Sequence, residues 1–271
     1  MLGKLMKHEF RATGRIMLPL YLIVLLTSVG ANVSLRLLEG SDSNFLNLMG
    51  GLLMLAFVVA IFAVCIMSLV VMVNRFRTNL MGDEGYVMFT LPASVHQHVW
   101  SKLIVSVIWF AATVLVVALA FFIMFYQVGM IKMFFGGLGD LFYEVFRSHY
   151  WGDAVLFCLE FLLLCCVGAG AMCLEFYAAM AVGHSFAGHK VLLSVAAYVG
   201  FSFLSQVVGG MGIVLLDDSW LHNLLLGSLG NISGVTAMHL SMVALMVGSA
   251  LYGALFYVIT TVMLRRHLNL E

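Results

Sequence analysis

Glu160 and Glu175 lie inside one long apolar run, and Glu9 interrupts the apolar face of a short basic segment at the start of the chain. At these positions the chain could hold charge away from water. A carboxylate inside a membrane-length helix is costly and marks an ion path, a proton relay or a buried pair. The fifteen residues between Glu160 and Glu175 put them about 60° apart on a helix, so roughly on one side. They are read as lining a translocation path or holding a subunit interface, against the blander reading that each snorkels or stays protonated in a bundle. Gly183-His184-Ser185, His189 and His239 are the only material for an intramembrane hydrolase. No G-x-S-G occurs, and adjacent helix residues do not face one another. His184 and His239 belong near opposite membrane faces, which excludes a shared haem. Cys65, Cys158, Cys165, Cys166 and Cys173 stand in apolar runs without a C-x-x-C and read as small buried thiols, with no metal and no disulfide framework. No G-x-x-x-x-G-K-[ST] is present, so ATP is not expected to bind by that route, and no catalytic residue or cofactor is assigned to this chain.

The densest signal is the connector Asn74–Lys102, NRFRTNLMGDEGYVMFTLPASVHQHVWSK. It is longer than a turn between helices requires. Gly82 and Gly85 bracket Asp83 and Glu84 as a helix stop, Pro92 bars continuation, and Ser94 with Gln97 forms an S-x-x-Q capping box that starts the next helix. Between them Tyr86-Val-Met-Phe-Thr-Leu-Pro92 is apolar and aromatic. Apolar residues outside the bilayer mark a docking site, unless they fold back under their own bundle.

The elements that position these residues follow from composition. Hydrophobic residues make up 63% of the chain and charged ones 10%, with a mean hydropathy of +1.09. A soluble domain carries about 25% charged residues, so most of this surface must meet lipid. The net charge is zero, and no basic patch points to nucleic acid. A span needs about 20 apolar residues. Six stretches qualify, at 16–38, 49–73, 103–127, 154–183, 191–216 and 238–264. The expected fold is all-α, a single polytopic domain over 1–271. Neither Pro19 nor Pro92 lies in the middle of a span, which predicts continuous helices. Orientation follows from the bases. With the N-terminus inside, Lys4, Lys7, Arg11, Arg15, Arg75, Arg77, Lys102, Lys190, Arg265 and Arg266 fall in the cytoplasm, against Arg36, Lys132 and Arg147 outside. Both termini are therefore expected in the cytoplasm, and the 74–102 loop with them.

Met1–Arg15 has Leu2, Leu5, Met6, Phe10 and Thr13 on one helical side and Lys4, Lys7, His8, Arg11 and Arg15 on the other, which predicts an amphipathic helix lying in the lipid interface before the first span. Glu9 points from its apolar face. It is expected to anchor this helix to a basic residue at the cytoplasmic end of the bundle. The small residues of Gly168-Ala-Gly170-Ala, Gly209-Gly210-Met-Gly212, Ser249/Gly253 and Ala250/Ala254 are read as close helix packing. Outside the membrane, Met130–Trp151 is rich in aromatics, and Asp140–Trp151 can be written as a helix at the outer interface. Asp218 or Ser219 can cap a short apolar helix through Leu226.

The opening Lys4-x-x-Lys7-His8-Glu9-Phe10-x-Ala-Thr-Gly-Arg15, the loop Asp83-Glu84-Gly85-Tyr86-x-x-Phe89-Thr90-Leu91-Pro92-x-Ser94 and the ending Leu268–Glu271 together resemble permease subunits of type-2 ABC exporters, in a Clostridia-like branch. The resemblance covers the whole chain at the level of topology, and the loop is its most specific part. It implies a bacterial cell-membrane transport subunit driven by a separate ABC ATP-binding subunit, which would hold ATP and Mg. It also implies a second permease subunit, identical or homologous. The 74–102 loop would contain the coupling helix. Asp83 and Glu84 would pair with bases on the ATPase, Gly85, Thr90 and Pro92 would form or flank the contact, and Tyr86, Phe89 and Leu91 would be its buried anchors. The cargo would be hydrophobic or amphipathic. The competing reading is a self-contained ion-coupled carrier or channel that uses Glu160 and Glu175 and needs no ATPase.

Overall fold

The computed structural model describes residues 2–40, 44–82, 94–126, 128–147, 151–186, 188–217 and 234–266. Among these residues the chain is all helix: α1 Leu2–Gly40, α2 Asn44–Met81, α3 Val95–Met124, α4 Val128–Arg147, α5 Trp151–Gly183, α6 Lys190–Asp217 and α7 Gly234–Arg266. All but α4 are long and apolar enough to cross a membrane. The protein is a multi-pass membrane protein. Its outward side chains are large hydrophobics such as Leu22, Leu26, Leu52, Phe62, Leu115, Phe203 and Leu251, all more than half exposed. Water could not wet that surface, whereas acyl chains cover it without cost.

The separate interfacial helix expected over 1–15 is instead the first part of α1. No turn residue separates Arg15 from Ile16, and α1 passes Pro19 unbroken. Its 39 residues reach about 58 Å, against about 30 Å of hydrocarbon. The N-terminal segment is held to α3 by side chains. The Trp109 indole N–H donates to Thr13 Oγ1 at 2.7 Å, and the same ring covers Gly14.

Two units divide the chain. The first comprises Met1–Arg75 and Trp100–Trp151. In it α1 and α2 run antiparallel, since Glu9 meets Arg75 near one end while Ser34 Oγ donates to the Gly50 carbonyl at 2.6 Å near the other. α3 runs parallel to α1, with the Tyr21 hydroxyl 2.8 Å from that of Thr113 and Asn32 donating to the Met124 carbonyl. Asn32 and Arg36 both donate to the carbonyl of Tyr126, just beyond α3, and so serve acceptors that no further helical turn could satisfy. The core between the three helices holds Met17, Val24, Phe57, Val64 and Ala120. α4 starts at Val128, well before the expected helix over Asp140–Trp151, because Gly136, Gly137 and Gly139 do not break it.

The second unit comprises Phe76–Val99 and Gly152–Glu271. α5 and α6 form an antiparallel hairpin in which Phe176 stacks on Tyr198 at 4.3 Å. α7 runs parallel to α5, pairing His239 with Glu160 and Gly253 with Ala171. The hairpin turn brings Gly183 so close to Ser194 that a Cβ would overlap the Ser194 amide and Cα. His189 takes a positive φ of 51° there, and its carbonyl accepts the Leu193 amide as α6 begins. His184 is buried beside this turn, and burial holds its imidazole below the ordinary range, with nearby Lys190 and Arg77 acting in the same direction.

Four cysteines differ from expectation. Only Cys173 is buried, while Cys65, Cys158, Cys165 and Cys166 are exposed on helix surfaces, because a thiol is apolar enough to face lipid. The glycines divide as well. Gly253 packs at 3.4 Å from Ala171, but nothing lies within 4 Å of a Cβ built on Gly168, Gly209 or Gly210.

Gly183→Ala is expected to cost about 1–3 kcal/mol in detergent unfolding, whereas Gly168→Ala should be neutral or stabilising. Neutral His184 contributes stability that is complete above the unfolded imidazole pKa of about 6.5 and is lost as pH falls from there toward its lower folded value. His184→Gln should flatten that acid-side loss in unfolding measured across pH.

Candidate functional site: a charge clamp at the stems of the 74–102 loop

The loop residues Asp83, Glu84, Gly85, Tyr86, Phe89, Thr90, Leu91 and Pro92 lie outside the described residues, but both stems of the loop are described. α2 ends at Met81, beside the glycine expected to stop it. α3 begins on a reciprocal capping box: the Gln97 amide donates to Ser94 Oγ at 3.3 Å, and the Ser94 amide donates to Gln97 Oε1 at 3.3 Å. Two orphan donors at the helix start are thereby satisfied, which gives the loop a defined re-entry point.

Within the first unit, Glu9 meets α2 and α3 at Arg75 and Lys102. Its carboxylate accepts from Lys102 Nζ at 2.7 Å on one oxygen and from Arg75 at 3.1 Å on the other. Lys102 also donates to the Arg75 carbonyl at 3.4 Å. Arg75 stands near the end of α2 and Lys102 in the second turn of α3, so a single side chain of α1 fastens both sides of the connection. The Glu9 and Lys102 side chains are only 6% and 4% exposed, whereas Arg75 is 28% exposed. A buried ion pair of this kind adds little net stability over an apolar isostere, yet losing one partner leaves a charge stranded. Its value lies in fixing one geometry.

The clamp continues along α1 as a run of hydroxyl bonds. Thr13 Oγ1 donates to the Glu9 carbonyl at 2.8 Å and accepts from Trp109. One turn further along α3, Thr113 links Tyr21 at 2.8 Å to Ser68 at 2.9 Å. Within the first unit, α1, α2 and α3 are therefore joined by polar contacts from the clamp to the middle of the span. In the second unit, the tail of α2 places Phe76 flat on Tyr177 with centroids 4.0 Å apart, and His96 near the start of α3 bonds the Tyr257 hydroxyl.

The two intramembrane acids do not come together. Glu160 Oε2 lies 2.8 Å from His239 Nδ1, and His239 Nε2 lies 4.0 Å from Asp153 Oδ1. The Phe157 ring meets His239 edge-on. Glu175 is buried about four turns further along α5 and accepts from Ser202 Oγ of α6 at 2.8 Å. Sequence alone gives His239 no partner. Its signal was depth, since Glu160 and His239 both fall toward the outer ends of the fourth and sixth spans. Arg75 and Lys102 were visible only as inside bases. No periodicity says which of ten such bases a lone carboxylate will choose.

Among the described residues no group of His, Cys, Asp and Glu has the arrangement of a metal site. Comparison with protein-family models, curated proteins and solved structures gives no match.

Glu9→Ala is expected to destabilise the protein by about 3–5 kcal/mol, because it strands the Lys102 ammonium. Arg75→Ala should cost about 1 kcal/mol, since solvent already reaches that group. Replacing Glu9 and Lys102 together by leucine should recover most of the loss in thermal unfolding. A double variant as unstable as the single one would refute the stranded-charge explanation.

Proposed function

We propose that this chain is the membrane-spanning permease subunit of an ATP-driven exporter of the type-2 ABC class, set in a bacterial cell membrane with both termini in the cytoplasm. The observation that carries the reading is the Glu9 clamp. A loop that transmits force must not yield at its stems, and here both stems are tied to α1 through Arg75 and Lys102. The loop between them carries the acidic and aromatic residues of the Asp83–Ser94 motif.

In this mechanism a separate subunit binds ATP and Mg, and its dimerisation on ATP moves the docked loop. Asp83 and Glu84 would meet bases on that subunit, Tyr86, Phe89 and Leu91 would fill its groove, and Gly85, Thr90 and Pro92 would form or flank the contact. Displacement of the stems reaches α1 directly through the two ion pairs, and α1 carries it into the membrane along the Thr13–Trp109 and Tyr21–Thr113 bonds. A second permease subunit, identical or homologous, completes the pathway.

A second reading has its own support. Glu160, His239 and Asp153 form a titratable cluster in a span, as an ion-coupled carrier would require. That carrier would move its substrate in proteoliposomes under a pH gradient with no ATPase present, and Glu160→Gln would stop it.

Co-expression with an ABC-type ATPase encoded beside the chain tests the first reading. Wild type should co-purify with the ATPase, and Glu84→Lys or Tyr86→Ala should lose it while remaining monodisperse. Retained binding in both variants would refute the docking assignment.

A further inference from the structure

The second unit holds a groove of about 420 Å3 between α5 and α7. It exists because Gly168 on α5 and Gly248 on α7 have no side chains to fill it, and nothing lies within 4 Å of where a Cβ would stand on either. Ala171 and Ala244 keep its walls low, and Gly253 packed on Ala171 closes the space beyond. The lining is otherwise apolar, apart from Ser249 and two groups toward one end, Glu175 and Tyr252. Glu175 is 8% exposed, and among the described residues no lysine, arginine or histidine pairs with it. It accepts a hydrogen bond from a neutral hydroxyl, that of Ser202. Tyr252 is held by Ser205 at 2.8 Å, which steadies its ring beside the carboxylate.

This differs from the other two membrane carboxylates. Glu9 is paired with two bases, and Glu160 lies 2.8 Å from the His239 imidazole. Glu175 has a carboxylate, an aromatic face and an apolar trough within the membrane, and the missing component is a cation. Positive charge is favoured beside a carboxylate in low dielectric and over an aromatic face. The volume falls in the range of small-molecule sites, about 300–1,000 Å3. We propose that the groove binds hydrophobic ammonium compounds, with the cationic head between Glu175 and Tyr252 and the alkyl or aryl tail along Gly168 and Gly248. The site deepens the export reading by naming its cargo and rests on that reading only for what becomes of the bound molecule.

The test uses the full chain alone in nanodiscs of zwitterionic lipid. The probe is a dansyl-tagged decyltrimethylammonium, compared with sulfonate and uncharged analogues on the same tail. Wild type should bind the cation saturably and about tenfold or more tighter than either analogue. Glu175→Gln, which keeps an acceptor for Ser202, should fall to the level of the uncharged analogue. Gly248→Leu should weaken binding of the cation by filling the trough, with helicity unchanged. Wild-type affinity in Glu175→Gln, equal binding of the sulfonate, or no saturable binding by wild type would overturn the proposal. So would a Gly248→Leu variant that binds the cation normally but shifts from dimer to monomer in light scattering, since the groove would then be a subunit contact. No ATPase is present, so failure here leaves the docking reading standing. Loss of ATPase co-purification likewise leaves the groove untouched.

Discussion

A carboxylate buried in a membrane protein must find its counter-charge nearby, and Glu9 finds it in two residues that flank one loop. Arg75 and Lys102 are far apart from Glu9 in sequence, yet all three meet within 3.1 Å contacts. This constraint explains several features together. α1 must continue through its basic segment rather than lie loose in the interface, because its Glu9 is fastened. Arg75 of α2 and Lys102 of α3 must lie beside it. The helices must also extend beyond the hydrocarbon, since the clamp forms outside the most apolar part of each. The cost of burying the Glu9 and Lys102 charges is offset by their pairing, and what remains is a defined geometry at the loop's stems.

The two units handle polarity in different ways. In the first, hydroxyls and the Trp109 indole are spent on one another, from Thr13 to Thr113, and the core around Met17 and Phe57 is filled. In the second, α5 and α6 form a tight hairpin, with Gly183 against Ser194. Between α5 and α7, however, the glycines leave space beside an acid. The proposed transport role calls for both properties, stiffness where force would enter and room where a molecule would pass. Their separation into different parts of the chain is consistent with the proposed division of labour.

Much of the architecture was legible in the residues. Hydropathy placed six spans; five fall within a helix, and the third, 103–127, runs past the end of α3 at Met124. Ser94 and Gln97 announced the start of α3, because a capping box is local chemistry and needs no tertiary partner. Gly82 marked the end of α2 for the same reason. The misses were all matters of which surfaces meet. Periodicity split α1 at Arg15 because the residue pattern changes there, but a change of face is not a break in hydrogen bonding. Glycine on a helix reads as a packing site, yet Gly168 and Gly248 open a groove and Gly253 closes one. Cysteine in an apolar run reads as buried, although in lipid an apolar run has an outside that is equally apolar. The pairing of Glu160 with His239 required two helices to be set side by side at equal depth, which composition does not encode.

The central claim is that Glu9 holds the two stems of the loop, and amide hydrogen exchange on the isolated chain tests it most directly. In Glu9→Gln, which keeps the side chain's size and removes its charge, peptides around Arg75 and around Lys102 should lose protection together, while those of the α5–α6 hairpin remain as in wild type. Unchanged protection at both stems would show that packing alone holds them, and the clamp would then have no part in coupling.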